Sequence, residues 1–152
     1  MKTKLLLLVL LFTSLISISQ TTAIPDTNFE QALIDQGIDT NGLNGNILNS
    51  DAASVAYLAV QSEGITNLAG IEAFTSLSVF NCTYNEITSL DNLPNSLNVL
   101  DCHYNEITSL DNLPSSLIEL KCGGNQITSL DNLPNSLIKL YCFDNQITSL
   151  NC

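Results

Sequence analysis

Asp101 and His103 stand two residues apart in "VLDCHYN", Glu119 and Lys121 flank a leucine in "IELKCG", and Lys139, Tyr141 and Phe143 alternate through "IKLYCF". An aspartate near a histidine is the pairing of a base with the group that orients it, and two carboxylates such as Asp101 and Glu119 are the set used in sugar hydrolysis. Neither chemistry is expected. On an extended strand, residues two apart are separated by about 7 Å, too far for the direct hydrogen bond that a base and its orienter need, and no serine or cysteine nucleophile faces the pair. A lysine beside Asp101 and another beside Glu119 keep both carboxylates ionised and remove the general acid. The expectation is a contact surface on a non-catalytic chain that needs no cofactor.

A second candidate is "DTNGLNGNILNSD" at 39–51, where Asp39, Asn41 and Asp51 supply the oxygens of a calcium loop. Its register departs by one residue from an EF-hand or dockerin loop, and position twelve has no bidentate glutamate. A glycine-rich turn is expected there, with no metal. "NCT" at Asn81 matches a glycosylation acceptor, which matters only in a eukaryotic secretory pathway.

The elements that position these residues come from a repeat. Cys82, Cys102, Cys122 and Cys142 recur every 20 residues, Asn85, Asn105, Asn125 and Asn145 keep step with them, and "ITSL" returns at 87, 107, 127 and 147. An earlier, degenerate copy runs through "VAYLAVQSEGITNLAGIEAF", with Glu63 where the later copies have asparagine. A fixed period in this range with repeated apolar spacing predicts a solenoid, here of about five coils, the last incomplete. In L-x-x-L-x-C the last apolar positions alternate inward as a strand requires, so successive strands stack about 4.8 Å apart in a parallel sheet. The asparagine marks the bend that leaves the strand, where its amide can satisfy backbone groups. Pro94, Pro114 and Pro134 predict an extended outer segment.

Written out, one coil is L-x-x-L-x-C-x-x-N-x-I, as in Leu97, Leu100, Cys102, Asn105 and Ile107, and this resembles the leucine-rich repeat family over roughly residues 55–152. The first copy is similar to the internalin type of bacterial repeat, and the 20-residue copies with "LPNSL" to the short bacterial class. The resemblance implies a mostly β, α/β-class right-handed superhelix with a parallel sheet on its concave face and an extended convex side. It also implies a bacterial protein. The domain reading is a signal peptide at 1–19, an N-terminal cap region at 20–54 and the repeats at 55–152. Within the cap, Thr27 and Glu30 form a capping box, and Phe29, Ala32 and Leu33 share the inner face of a helix expected at 28–36 that closes the first coil.

The four in-step cysteines occupy one inward column and are expected to be free, since neighbours on parallel strands point side by side and make poor bridge geometry. Cys152 falls outside the column and is expected to be exposed. Alternation turns the variable residues outward on the concave face: Tyr57, Asn81, Asp101, His103, Glu119, Lys121, Lys139, Tyr141 and Phe143 among them. Exposed aromatics on a rigid surface are what a binding site uses to gain contact area. Cross-strand pairs Asp101–Lys121 and Glu119–Lys139 are the plainer use of the two lysines.

"MKTKLLLLVLLFTSLISIS" has the basic, apolar and small-residue parts of a secretory signal, with cleavage expected after Ser19. Beyond it, two lysines stand against 15 acidic residues, a formal charge of −13. Such a surface excludes nucleic acid and disfavours anionic membranes. The expectation is a secreted or cell-surface module binding a protein or glycan partner through its concave face. The alternative is a structural element, or a piece of a larger surface adhesin, stacking through Leu137, Leu140, Ile147 and Leu150 at an open C-terminal end.

Overall fold

The computed structural model describes residues 20–148. The expected signal segment, Leu150 and Cys152 lie outside the described residues. In chain order the elements are β1 (Thr21–Ala23), α1 (Thr27–Asp35), β2 (Asn46–Leu48), α2 (Asn49–Ala52), β3 (Tyr57–Ala59), β4 (Val79–Asn81), β5 (Val99–Asp101), β6 (Glu119–Lys121) and β7 (Lys139–Tyr141), with one 3-10 turn at Ile71–Ala73. β3 to β7 form a five-stranded parallel sheet in sequence order. Among the described residues no helix is long and apolar enough to cross a membrane.

Each strand of the parallel sheet is three residues long and its middle residue points inward. Leu58, Phe80, Leu100 and Leu120 are fully buried, followed two residues on by the column Val60, Cys82, Cys102 and Cys122. Ile65, Ile87, Ile107 and Ile127 close the core from the opposite side. A buried leucine or isoleucine contributes about 1.5–3 kcal/mol, which no coil gains without its neighbours.

The asparagines do what their position predicts. Asn105 Nδ2 donates to the carbonyls of Cys82 (3.0 Å), Cys102 (3.1 Å) and His103 (3.3 Å), and its Oδ1 accepts from the Ile87 amide at 3.0 Å. Asn125 repeats the pattern one coil on. The repeated serine has a similar use: Ser96, Ser116 and Ser136 hydroxyls donate to the carbonyls of Leu77, Leu97 and Leu117, each in the coil before.

The outer arc differs from the extended segment expected around the prolines. Pro94, Pro114 and Pro134 each open a tight turn, accepting from the amides of Leu97, Leu117 and Leu137 at 3.0–3.1 Å. Two residues before them, Asn92, Asn112 and Asn132 have φ of 58° to 66°. A proline fits because the first turn position supplies only a carbonyl.

The cap also departs in detail. The helix N-cap is Asp26, whose Oδ1 accepts from the amides of Asn28 and Phe29, so Thr27 and Glu30 form no capping box. Glu30 is 1% exposed and turns away from the helix start, its Oε1 accepting from the amides of Asn44, Gly45 and Asn46 at 2.7–3.1 Å. β1 and β2, an antiparallel pair with Thr22 opposite Ile47, complete the cap. Phe29, Ala32 and Leu33 are buried at the end of the core, and Gln36 Nε2 donates to the Ala59 carbonyl of β3 at 3.0 Å.

Candidate functional site

Strand register arranges the concave face in columns. Tyr57, Val79, Val99, Glu119 and Lys139 face one another across the sheet, and Ala59, Asn81, Asp101, Lys121 and Tyr141 form the next column. The variable residues therefore converge on β5 to β7. Tyr57 stands apart, 61% exposed beside Val79, and Asn81 Oδ1 is spent on the Thr83 amide.

Charged groups run diagonally across the sheet. Lys139 Nζ donates to Glu119 at 3.0 Å, and Lys121 Nζ lies 3.5 Å from Glu119 and 3.7 Å from Asp101. The hydrogen bond from Lys139, with both ammonium charges, holds the Glu119 carboxyl below the usual glutamate range, and the same bond raises Lys139. Both expected cross-strand pairs are formed.

Asp101 and His103 are closer than the alternation implies: Nδ1 of the imidazole is 2.7 Å from Asp101 Oδ1. The 7 Å separation expected between them holds only while the strand continues. β5 ends at Asp101, and its Oδ1 turns onto the residue two on, lying 3.5 Å from the His103 amide as well as beside the ring. His103 Nε2 is buried with no hydrogen-bond partner among the described residues. Phe143 covers it, the two ring centroids 5.1 Å apart.

A gap in the side-chain pattern makes that contact possible. Gly123 lies between His103 and Phe143, and a Cβ there would meet Phe143 Cε1 and Cζ at 2.6 Å. Tyr104 rests in the same way over Gly124. Tyr104 also stacks on Tyr84, centroids 4.6 Å apart and planes 13° from parallel. Tyr84, Tyr104 and Phe143 are exposed by 59%, 42% and 49%, so the rings form one accessible patch along the sheet edge.

Sequence reasoning missed Tyr84 and Tyr104 because it carried the alternation past the strand ends. Their signal was an aromatic directly before the repeated asparagine in "TYN" and "HYN". Both have positive φ, 57° and 55°, as have Ser62, Gly124 and Asp144 at the equivalent positions. This backbone is unfavourable for a bulky residue.

The cysteine column lies beneath this face. Cys82, Cys102 and Cys122 are fully buried, Cys142 is half-buried, and none of the four is bridged. Burial pushes the Cys82 and Cys102 thiols well above their usual range and Cys122 up to about 12.

No protein-family model matches the sequence, and no curated protein matches it significantly. Solved structures do. The fold is similar to that of an internalin, InlF, from Listeria monocytogenes, with a TM-score of 0.68 at 20% identity over 84% of this chain. This chain spans 46% of that one. The functional domain of InlJ from Listeria monocytogenes, which includes a cysteine ladder, matches 88% of this chain and 45% of its own at 24% identity and a TM-score of 0.45. YopM from Yersinia enterocolitica is 37% identical over 47% of this chain and 16% of its own, with a TM-score of 0.45. The architecture is a leucine-rich repeat solenoid. Within that architecture, its fold is like that of an internalin.

Proposed function

We propose that this chain is a secreted or surface-displayed bacterial binding module, non-catalytic, which takes a protein partner on its concave face. In this reading residues 1–19 are the secretory signal, 20–54 the cap and 55–152 the recognition array. Tyr141, Phe143, Lys121, Lys139 and His103 make the main contacts, Asp101 and Glu119 fix the two lysines, and Tyr57 and Asn81 form the far margin. Tyr84 and Tyr104 join them.

The carrying observation is the exposed ring patch of Tyr84, Tyr104 and Phe143 beside an ion-pair network whose geometry is already set. Rigid aromatics lose little entropy on docking and gain much contact area. Tyrosine at a backbone position that favours glycine supports the same reading, since unfavourable φ at an exposed bulky residue is retained where the side chain has a use.

The test is to isolate the partner on the full chain and measure its affinity for the wild type and for the double variant Tyr141→Ala, Phe143→Ala. At least a tenfold loss, on the order of 1.4 kcal/mol, is expected with an unchanged melting curve. Equal affinity would overturn the concave-face reading. Mass that rises with concentration in the absence of partner would replace it by self-association.

A further inference from the structure

We propose that the uncovered face of the Tyr84 ring is a docking slot for an arginine of the partner. The inference rests on the binding role argued above and names the chemistry that enters at one margin of that surface. Ser62, Tyr84, Tyr104 and Gly124 hold the same place in four successive coils, with φ of 55° to 67°. Each amide donates to the coil that follows: Ser62 to the Thr83 carbonyl at 3.1 Å, Tyr84 to that of His103 at 3.0 Å, Tyr104 and Gly124 to those of Gly123 and Phe143 at 2.9 Å. The file is thus held in register at the strand repeat of about 4.8 Å.

The rings follow that repeat. Tyr84 and Tyr104 stack with centroids 4.6 Å apart and planes 13° from parallel, and Tyr104 in turn lies over Gly124. One face of Tyr84 is therefore covered, while the other turns toward the first coil, where Ser62 has no ring to continue the stack. Tyr84 is the more exposed of the pair, 59% against 42%. Gln61, Ser62 and Glu63 are exposed as well. A planar group one repeat before Tyr84 would lie over Ser62 at stacking distance.

Charge selects the planar group. Residues 20–120 hold thirteen carboxylates and no lysine or arginine, whereas residues 121–152 set Lys121 and Lys139 against Asp131 and Asp144. The formal charge of −13 falls entirely on the stretch that carries Tyr84. Glu63, next to Ser62, and Glu86, two residues from Tyr84, are exposed and form no ion pair among the described residues. Both lysines are engaged on β6 and β7. An aromatic face attracts a cation, a guanidinium more often than an ammonium. The guanidinium is also planar and weakly hydrated, so it stacks as a ring does, whereas the ammonium is a compact and strongly hydrated point charge. The negative field draws a basic segment toward the slot. An uncharged ring would gain the stacking alone.

The full chain is titrated with acetyl-GRGRG-amide, and with counterparts carrying lysine or phenylalanine in place of arginine, by calorimetry and by NMR of the tyrosine rings. Ionic strength is kept at about 0.01 M, where charges are little screened. The arginine peptide is expected to bind with a Kd on the order of 1 mM and to shift the Tyr84 ring signals. Both counterparts are expected to bind at least about fivefold more weakly. Tyr84→Leu removes the ring and is expected to weaken the arginine peptide by at least about fivefold. Ser62→Tyr fills the slot with the chain's own ring, on a backbone that Tyr84 and Tyr104 already adopt, and is expected to abolish binding. That variant decides the matter if Tyr84→Leu fails to fold. No partner is needed, so the titration stands apart from the test of the concave face. Shifts of the Tyr141 signals without those of Tyr84 would put the cation on the strands, overturning the slot while the concave-face reading stands. No saturable signal up to about 10 mM peptide, equal affinity for either counterpart, or arginine binding retained by both variants would each overturn the proposal.

Discussion

At the scale of single residues, Gly123 and the cysteines show how one coil position serves two ends. On the outside, the absent side chain at Gly123 lets Phe143 lie back to His103. On the inside, its neighbour Cys122 fills a slot sized for a small apolar group. Thiols that are buried and raised in pKa are poor nucleophiles, because the thiolate is the reactive form. Cys82, Cys102 and Cys122 are therefore expected to resist a thiol reagent at pH 8 in the native protein and to react at once in urea, read as labels per chain by mass spectrometry. Native labelling of Cys102 would show that the coils open on the timescale of the reaction. The column was legible in the sequence because a period of 20 returns every core residue to the same place. The Asp101–His103 contact and the tyrosine stack were not, because they form where the strand stops and period two no longer applies.

At the scale of elements, the Asp26 carboxylate joins the Gln36 and Asn28 side chains in tying the cap to the first coil. Asp26 caps α1 with Oδ1, while Oδ2 accepts from the amides of Thr66 and Asn67 and from the Thr66 hydroxyl at 2.8–3.0 Å. Burial by itself raises the carboxyl, but the bonds from Thr66, Phe29 and Asn67 outweigh it and leave the folded pKa below the ordinary value of 3.8. A depressed carboxyl contributes stability that is fully present above its unfolded pKa, about 3.9, and is lost as pH falls through the folded value. Asp26→Asn is thus expected to lower stability by about 1–2 kcal/mol at pH 7. Urea midpoints of variant and wild type should converge as pH falls below the depressed folded pKa, where the wild-type carboxyl is protonated too. A constant gap across that range would locate the effect in shape rather than charge. Sequence alone placed the helix to within one residue but chose Thr27 as its cap. Both residues are good caps locally, and what decides for Asp26 is Thr66, forty residues away.

At the scale of the molecule, stability passes from coil to coil. Each asparagine joins its own coil to the one before it, so the array behaves as a row of nearest-neighbour couplings. Asn105→Ala would leave the carbonyls of Cys82, Cys102 and His103 and the amide of Ile87 without that partner. A loss of about 3 kcal/mol or more is expected, and Asn105→Asp should do as badly because a carboxylate has no N–H to donate. Urea unfolding followed by circular dichroism checks both, and a near-native midpoint for Asn105→Asp would show that only the acceptor matters. The same ladder bears on inheritance. Because Asn105, Asn125 and Asn145 each make the same bond to the cysteine carbonyl one coil back, deleting or duplicating a 20-residue block gives every remaining coil an equivalent neighbour. Gene variants that arise by slippage between the near-identical repeats will therefore encode folded proteins whose lengths differ in whole coils, with recognition surfaces extended or shortened one strand at a time.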